Sequence, residues 1–126
     1  MGKKYLVDSN ILIQFQANLL PVAAQNFVSS VVDTEFNISV ISQIEVLGHH
    51  SVTNDVEQFL ALANVMELNQ PIAKAAIGLR KHNKIKPPDA IIAATAIVNG
   101  FTLLTRNISD FKKIDGLELI DPWDFG

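Results

Sequence analysis

Short apolar runs alternate with longer segments of helical spacing along the whole chain. Tyr5-Leu6-Val7 is too short for a helix and reads as a buried strand ending at Asp8. Residues 9–19 place Ile11, Leu12, Phe15 and Leu19 on one helical face and stop before Pro21. A second helix is predicted over 22–32, a second strand over 37–40, a helix from Ser42 and another around 53–63. A third strand covers 65–68. Pro71 opens a helix to about 82, and the next runs from about 88 to Asn99, where Asn99-Gly100 stops it. Thr102–Thr105 is the fourth strand, 107–114 a loop or short turn, and Leu117–Ile120 offers a fifth strand. The Pro122-Trp123 tail is expected to pack on the body.

Short apolar strands separated by helices predict an α/β fold with a central parallel sheet of four to five strands, flanked by helices. No internal repeat, low-complexity segment or linker interrupts residues 1–126, so a single domain is expected.

Composition narrows the chemistry. Hydrophobic residues make up 48% of the chain and charged ones 18%, the balance of a compact soluble protein. The chain has no cysteine, which excludes disulfides, thiolate metal sites and a cysteine nucleophile. The start, Met-Gly-Lys-Lys-Tyr-Leu-Val-Asp, breaks at Asp8 where a signal peptide needs an apolar stretch. Leu6 stands where a myristoylation motif needs Ser or Thr. No apolar run reaches the roughly 18 residues of a membrane span. A cytoplasmic location with no membrane partner is the expectation. Net charge is −3, yet seven of the ten Lys and Arg fall between Arg80 and Lys113. Such a patch can meet phosphates or be a solvated helix end.

Four acidic or acid-bearing segments follow strands or lead into them. Asp8 ends strand one, at the carboxyl edge where open α/β sheets hold ligands; Asp8-Ser9-Asn10 equally fits a helix cap. Glu45 follows strand two, and with Ser42 it matches the S-x-x-E capping box. Asp89 sits behind Pro87-Pro88 at a helix start, where an acid complements the helix dipole. After strand four, Thr105-Arg106-Asn107-Ile108-Ser109-Asp110-Phe111 offers oxygen atoms at Asn107 and Asp110 and a phosphate contact at Arg106, though Asn, Ser and Asp are also ordinary loop residues. Each segment has a structural explanation by itself. In a parallel sheet they can converge, and converging carboxylates repel unless a cation joins them. Oxygen-only ligands favour Mg²⁺ or Mn²⁺ over zinc.

Leu6-Val7-Asp8-Ser9-Asn10, Ser42-Gln43-Ile44-Glu45, Pro88-Asp89-Ala90-Ile91-Ile92-Ala93-Ala94-Thr95-Ala96 and Leu104–Phe111 together resemble a PIN domain. More closely, the chain is similar to VapC-type toxin ribonucleases of toxin–antitoxin pairs, from Leu6 to about Leu117. The resemblance implies Mg²⁺- or Mn²⁺-dependent endoribonuclease activity on an RNA substrate such as tRNA or rRNA, an inhibitory antitoxin partner and a homodimer. It implies that Asp8, Glu45 and Asp89 are the three core acids. Asn107 stands where many relatives have a fourth acid, with Asp110 three residues on, and Ser9 stands where Thr is common. Asp8, Glu45, Asp89 and Asp110 are then the metal ligands, Asn107 completes the catalytic set, and Ser9 and Arg106 support it. The basic residues from 80 to 113 would seat the RNA backbone.

Other classes fit less well. A haloacid-dehalogenase-type phosphotransferase needs an acid where Asn10 stands, and a response-regulator receiver needs paired acids near strand one. A non-catalytic PIN-like module that binds RNA or protein is the remaining alternative, because Asn107 carries no charge. His49, His50 and His82 read as structural or surface residues, Trp123 as a packing anchor, and Phe59-Leu60-Leu62-Ala63 as core.

Overall fold

The structure is a computed structural model that describes residues 2–125. Five strands form: β1 (Tyr5–Val7), β2 (Asn37–Ser39), β3 (Asn64–Met66), β4 (Thr102–Leu104) and β5 (Leu119–Ile120). Seven helices separate them: α1 (Ser9–Gln16), α2 (Val22–Thr34), α3 (Val40–Leu47), α4 (Asn54–Leu60), α5 (Gln70–His82), α6 (Pro87–Asn99) and α7 (Ile108–Phe111). A terminal 3₁₀ turn, Pro122–Phe125, closes the described chain.

Every strand pair is parallel: β1 with β4, β4 with β5, and β2 with β3. The strands therefore lie in two ladders, β1-β4-β5 and β2-β3, rather than one continuous sheet. A side chain bridges the seam. The buried Asn37 donates from Nδ2 to the Tyr5 carbonyl (3.2 Å), and its Oδ1 accepts from Asn64 Nδ2 (3.3 Å). Across the seam the order is β3-β2-β1-β4-β5, so successive connections run to opposite sides of β1. The reversal falls between β1 and β4, and the carboxyl edge there is the crevice where such sheets bind ligands.

Strand alternation sends neighbouring residues to opposite faces. Leu6 and its register partner Leu103 enter a core with Ile72, Ala90, Ala93 and Phe111, under α5 and α6. Val7 and Leu104 enter a second core with Ile11, Leu12, Val28 and Ile38, under α1 and α2. Burying a side chain of this size contributes roughly 1.5–3 kcal/mol. Two filled faces explain why the strands read as unbroken apolar runs.

Helix ends depart from the sequence reading at identifiable points. α1 stops at Gln16 instead of 19 because Asn18 takes a left-handed conformation (φ 58°). α3 begins at Val40, capped by Ser39, whose side chain accepts from the Ile41 amide at 3.0 Å. The capping box at Ser42 does not form: Ser42 lies inside the helix, buried, with no partner for its hydroxyl among the described residues. α4 ends at Leu60, and Leu62 is 74% exposed rather than core; Phe59, Leu60 and Ala63 do face the second core. Residues 107–114 contain the short helix α7.

α6 begins at Pro87 and Pro88, whose missing amides cost nothing in a first helical turn. Its buried face is mostly alanine (Ala90, Ala93, Ala94, Ala96), which lets α5 pack closely. Gly100 ends it with φ 69°, a conformation a side chain would strain, and turns the chain into β4.

Candidate metal centre and its surroundings

Parallel strands put the residues that follow β1, β2 and β4 at one edge. Asp8 leaves β1 and caps α1, with Oδ1 accepting from the Ser9 amide at 2.9 Å. Its other oxygen, Oδ2, accepts from the Thr105 hydroxyl at 2.8 Å, across the β1/β4 reversal. Cap and site are thus one residue. Asp8 is 7% exposed. Burial raises its pKa, the Thr105 and Ser9 hydrogen bonds oppose that, and the charges of Glu45 and Asp89 raise it further.

Glu45, on α3, accepts from Ser9 Oγ at 2.6 Å through Oε1. Asp89, in the first turn of α6, is partly buried. Its pKa is raised by that burial, then by the charges of Asp110 and Glu45, while Lys86 pulls the other way. Asp110, on α7, accepts from Asn107 Nδ2 at 2.9 Å. The Asn107 amide in turn donates to Thr105 Oγ1 at 2.9 Å. A relay therefore runs from Asn107 through Thr105 to Asp8.

Asp8, Glu45, Asp89 and Asp110 come from four separate elements, and Asp8 and Asp89 lie close enough to the other acids to feel their charges. Arg106 joins through its backbone, its amide donating to Asn10 Oδ1 at 3.2 Å. Its guanidinium lies over the Trp123 ring, 4.3 Å from the centroid, with Nε 3.7 Å from Asp121 Oδ2. Trp123 Nε1 donates to Gln14 Oε1 at 3.0 Å, so Trp123 is a packing anchor. His49 and His50 stack on each other, and the Ser51 amide donates to His49 Nδ1.

The part played by Thr105 was not read from the sequence. Its signal is a fully buried hydroxyl at the end of an apolar strand, a group that must find a partner.

Two clefts flank the acids. One, of about 480 Å³, joins Asp89 and Asp110 to Arg80, Lys84 and Lys86. The other, of about 340 Å³, is mostly apolar and runs from Ser9 and Glu45 past Ile13, Val46 and His49. A third depression, beside Tyr5 and Phe27, lies at the amino end of β1, away from the carboxylates.

The donor set fits a hard divalent cation: its carboxylates offer only oxygens, and the like charges that bear on Asp8 and Asp89 gain from a shared positive charge. Among the described residues no three His, Asp or Glu side chains are drawn together into a finished cage. The acids stand as an open rim. No helix is long and apolar enough to cross a membrane among the described residues.

A parallel α/β fold with four acids from separate elements along its carboxyl edge defines the class, and the PIN domain family matches residues 5–117. The chain belongs to that family. It is 34% identical to ribonuclease VapC10 of Mycobacterium tuberculosis over 121 residues, covering 90% of each chain. A local stretch of 32 residues is 59% identical to ribonuclease VapC1 of Rickettsia felis, spanning 25% of this chain and 24% of that one. Among solved structures, a toxin–antitoxin complex from Klebsiella pneumoniae aligns with TM-score 0.74 at 30% identity, covering 94% of this chain and 98% of the other. VapBC2 of Rickettsia felis, bound to a promoter DNA fragment, shares the fold with TM-score 0.78 at 22% identity, covering 92% and 96%.

Proposed function

We propose that this chain is a metal-dependent endoribonuclease and the toxin of a toxin–antitoxin pair. The observation that carries the reading is the gathering of Asp8, Glu45, Asp89 and Asp110 at one sheet edge, where the pKa values of Asp8 and Asp89 are raised chiefly by burial and further by the charges of the neighbouring acids. Similarity to VapC ribonucleases over 90% of the chain supports RNA as the substrate. Asp8, Glu45, Asp89 and Asp110 would hold Mg²⁺, with Mn²⁺ as the other candidate. When bound, the ion supplies Lewis acidity toward water and the scissile phosphate.

The chain's own groups do the positioning. Thr105 holds Asp8 Oδ2, Ser9 holds Glu45 Oε1, and Asn107 holds Asp110. Glu45 Oε2 is left to accept a hydrogen bond from the attacking water. Hydrolysis breaks one phosphorus–oxygen bond and forms another with that water oxygen. An antitoxin protein, a homodimer and a cytoplasmic location belong to the same reading; the first is supported by the toxin–antitoxin complexes that share the fold.

The neutral Asn107 favours a second reading, a PIN-like module that binds RNA or protein without cutting. Purified protein free of antitoxin, incubated with structured RNAs and Mg²⁺ or Mn²⁺, separates the two. Cleavage that Asp89→Asn abolishes while circular dichroism is unchanged supports the enzyme. RNA binding with no cleavage establishes the module, and undiminished cleavage by Asp89→Asn removes Asp89 from the site.

A further inference from the structure

The seven cations between Arg80 and Lys113 do different jobs. Lys113 is used internally: its Nζ donates to the Lys84 carbonyl at 2.6 Å and ties α7's end to the α5–α6 loop. Arg106 is stacked on Trp123 and set against Asp121. Lys112 lines a separate depression with Asp121 and Asp124, whose carboxylates disfavour an anion there. Lys81 borders none of the clefts around the acids. Arg80, Lys84 and Lys86 remain, and they share a cleft with Asp89 and Asp110.

The local backbone sharpens this division. A helix start ordinarily offers amides to an anion. Pro87 and Pro88 occupy the first two positions of α6 and carry no N–H, leaving the Asp89 amide, on a residue that itself bears an acid, so anion recognition in this cleft falls chiefly to side chains. Arg80 spends Nε on the Ile85 carbonyl (3.1 Å), which fixes its guanidinium at the loop and leaves its terminal nitrogens without another protein partner among the described residues. Lys84 and Lys86 are exposed and make no ion pair among the described residues. Their charges lie beside acids that a cation would neutralise, an arrangement suited to a strand whose neighbouring phosphates are bound while one is cut.

We infer that Arg80, Lys84 and Lys86 grip the RNA backbone next to the scissile phosphate, so that the strand leaves the acids along the α5–α6 loop and not over α7 or the Trp123 corner. This rests on the ribonuclease reading and adds the direction of the strand. The contact is to phosphate, so it is blind to base identity; sequence preference has to arise elsewhere, with the apolar cleft beside Glu45 the nearest surface of different character.

The test uses the full chain, a fluorescently labelled single-stranded RNA of mixed sequence, and chelator to prevent cleavage. Anisotropy titrations over a range of KCl concentrations give the slope of log K against log salt. Each lost phosphate contact on a single strand reduces that slope by about 0.7. The double variant Lys84→Gln/Lys86→Gln is expected to flatten it by about 1.4, twice the single-contact value. The control Lys81→Gln/Lys112→Gln should leave it unchanged. Both pairs are exposed, and the Lys84 group that accepts from Lys113 is backbone, so folding is preserved. An unchanged slope in the first variant, or equal flattening in both, overturns the assignment. Because binding is read without metal, the outcome is distinct from the ribonuclease reading, which fails if the wild type does not cleave when Mg²⁺ or Mn²⁺ is present.

Discussion

Thr105 and Asp8, 97 residues apart in sequence, are joined by a 2.8 Å hydrogen bond across the β1/β4 reversal. The bond meets two needs at once, giving a buried hydroxyl an acceptor and a buried carboxylate a donor. Thr105→Val keeps the shape and removes the donor. It should cost about 1–3 kcal/mol, the usual penalty for an under-satisfied buried group, in urea denaturation. The bond lowers the Asp8 pKa, so its loss lets that pKa rise and leaves less carboxylate ionised at a given pH. The acid limb of the cleavage profile should therefore move to higher pH, and Thr105→Ser should restore it.

Asp8 and Asp89 give the metal-free protein an unusual pH dependence. Both have raised pKa values when folded, chiefly through burial. Their contribution to stability is complete below the ordinary Asp pKa of about 3.9 and is lost as pH rises through the folded values. Asp89→Asn should thus raise the melting temperature of metal-free protein at neutral pH, with the gain vanishing in acid. Glu35, whose pKa the Asn37 amide holds down, acts oppositely, and its contribution fades only as pH falls through its own lowered value. Saturating Mg²⁺ should stabilise the wild type, by about 2.7 kcal/mol at a hundredfold excess over Kd. Asp89→Asn should lose most of that gain in calorimetry.

Ser9 tests positioning without burial. Its hydroxyl bonds Glu45 at 2.6 Å in an exposed setting, so Ser9→Ala should leave stability nearly unchanged. Losing a partner that orients a ligand typically costs about 10- to 100-fold in metal affinity or activity. Titration calorimetry with Mn²⁺ and a cleavage assay should both show it, and Ser9→Thr should recover both.

Trp123 supports the β4–α7 loop from outside. Trp123→Ala removes the contact with Arg106 and the bond to Gln14, together worth about 1–2 kcal/mol from typical cation–π and hydrogen-bond contributions. Trp123→Phe keeps the ring and loses the bond, so it should recover part of the stability in the same urea series.

The parts of this molecule that depend on neighbouring residues were legible in the sequence. Leu6-Val7 and Leu103-Leu104 announce strands because both faces of each are buried. The two prolines and Gly100 punctuate α6 through their own backbone restrictions. Ser42 misled because the spacing to Glu45 is that of a capping box, while Ser39, three residues earlier, already serves the helix start. Glu45 was thereby left free for Ser9, a pairing only the crossover from β1 to β2 brings about. The stacking of Arg106 on Trp123 was equally illegible, since it depends on where β5 delivers the tail.

The Asn37 seam decides what holds the rim together. Asp8 leaves the β1-β4-β5 ladder, whereas Glu45 follows β2 in the other. No backbone ladder registers one half against the other among the described residues. Asn37 on the Tyr5 carbonyl and Ser9 on Glu45 span the two halves. The spacing of the two carboxylates therefore hangs on side chains, with Asn37 and Ser9 as its stitches.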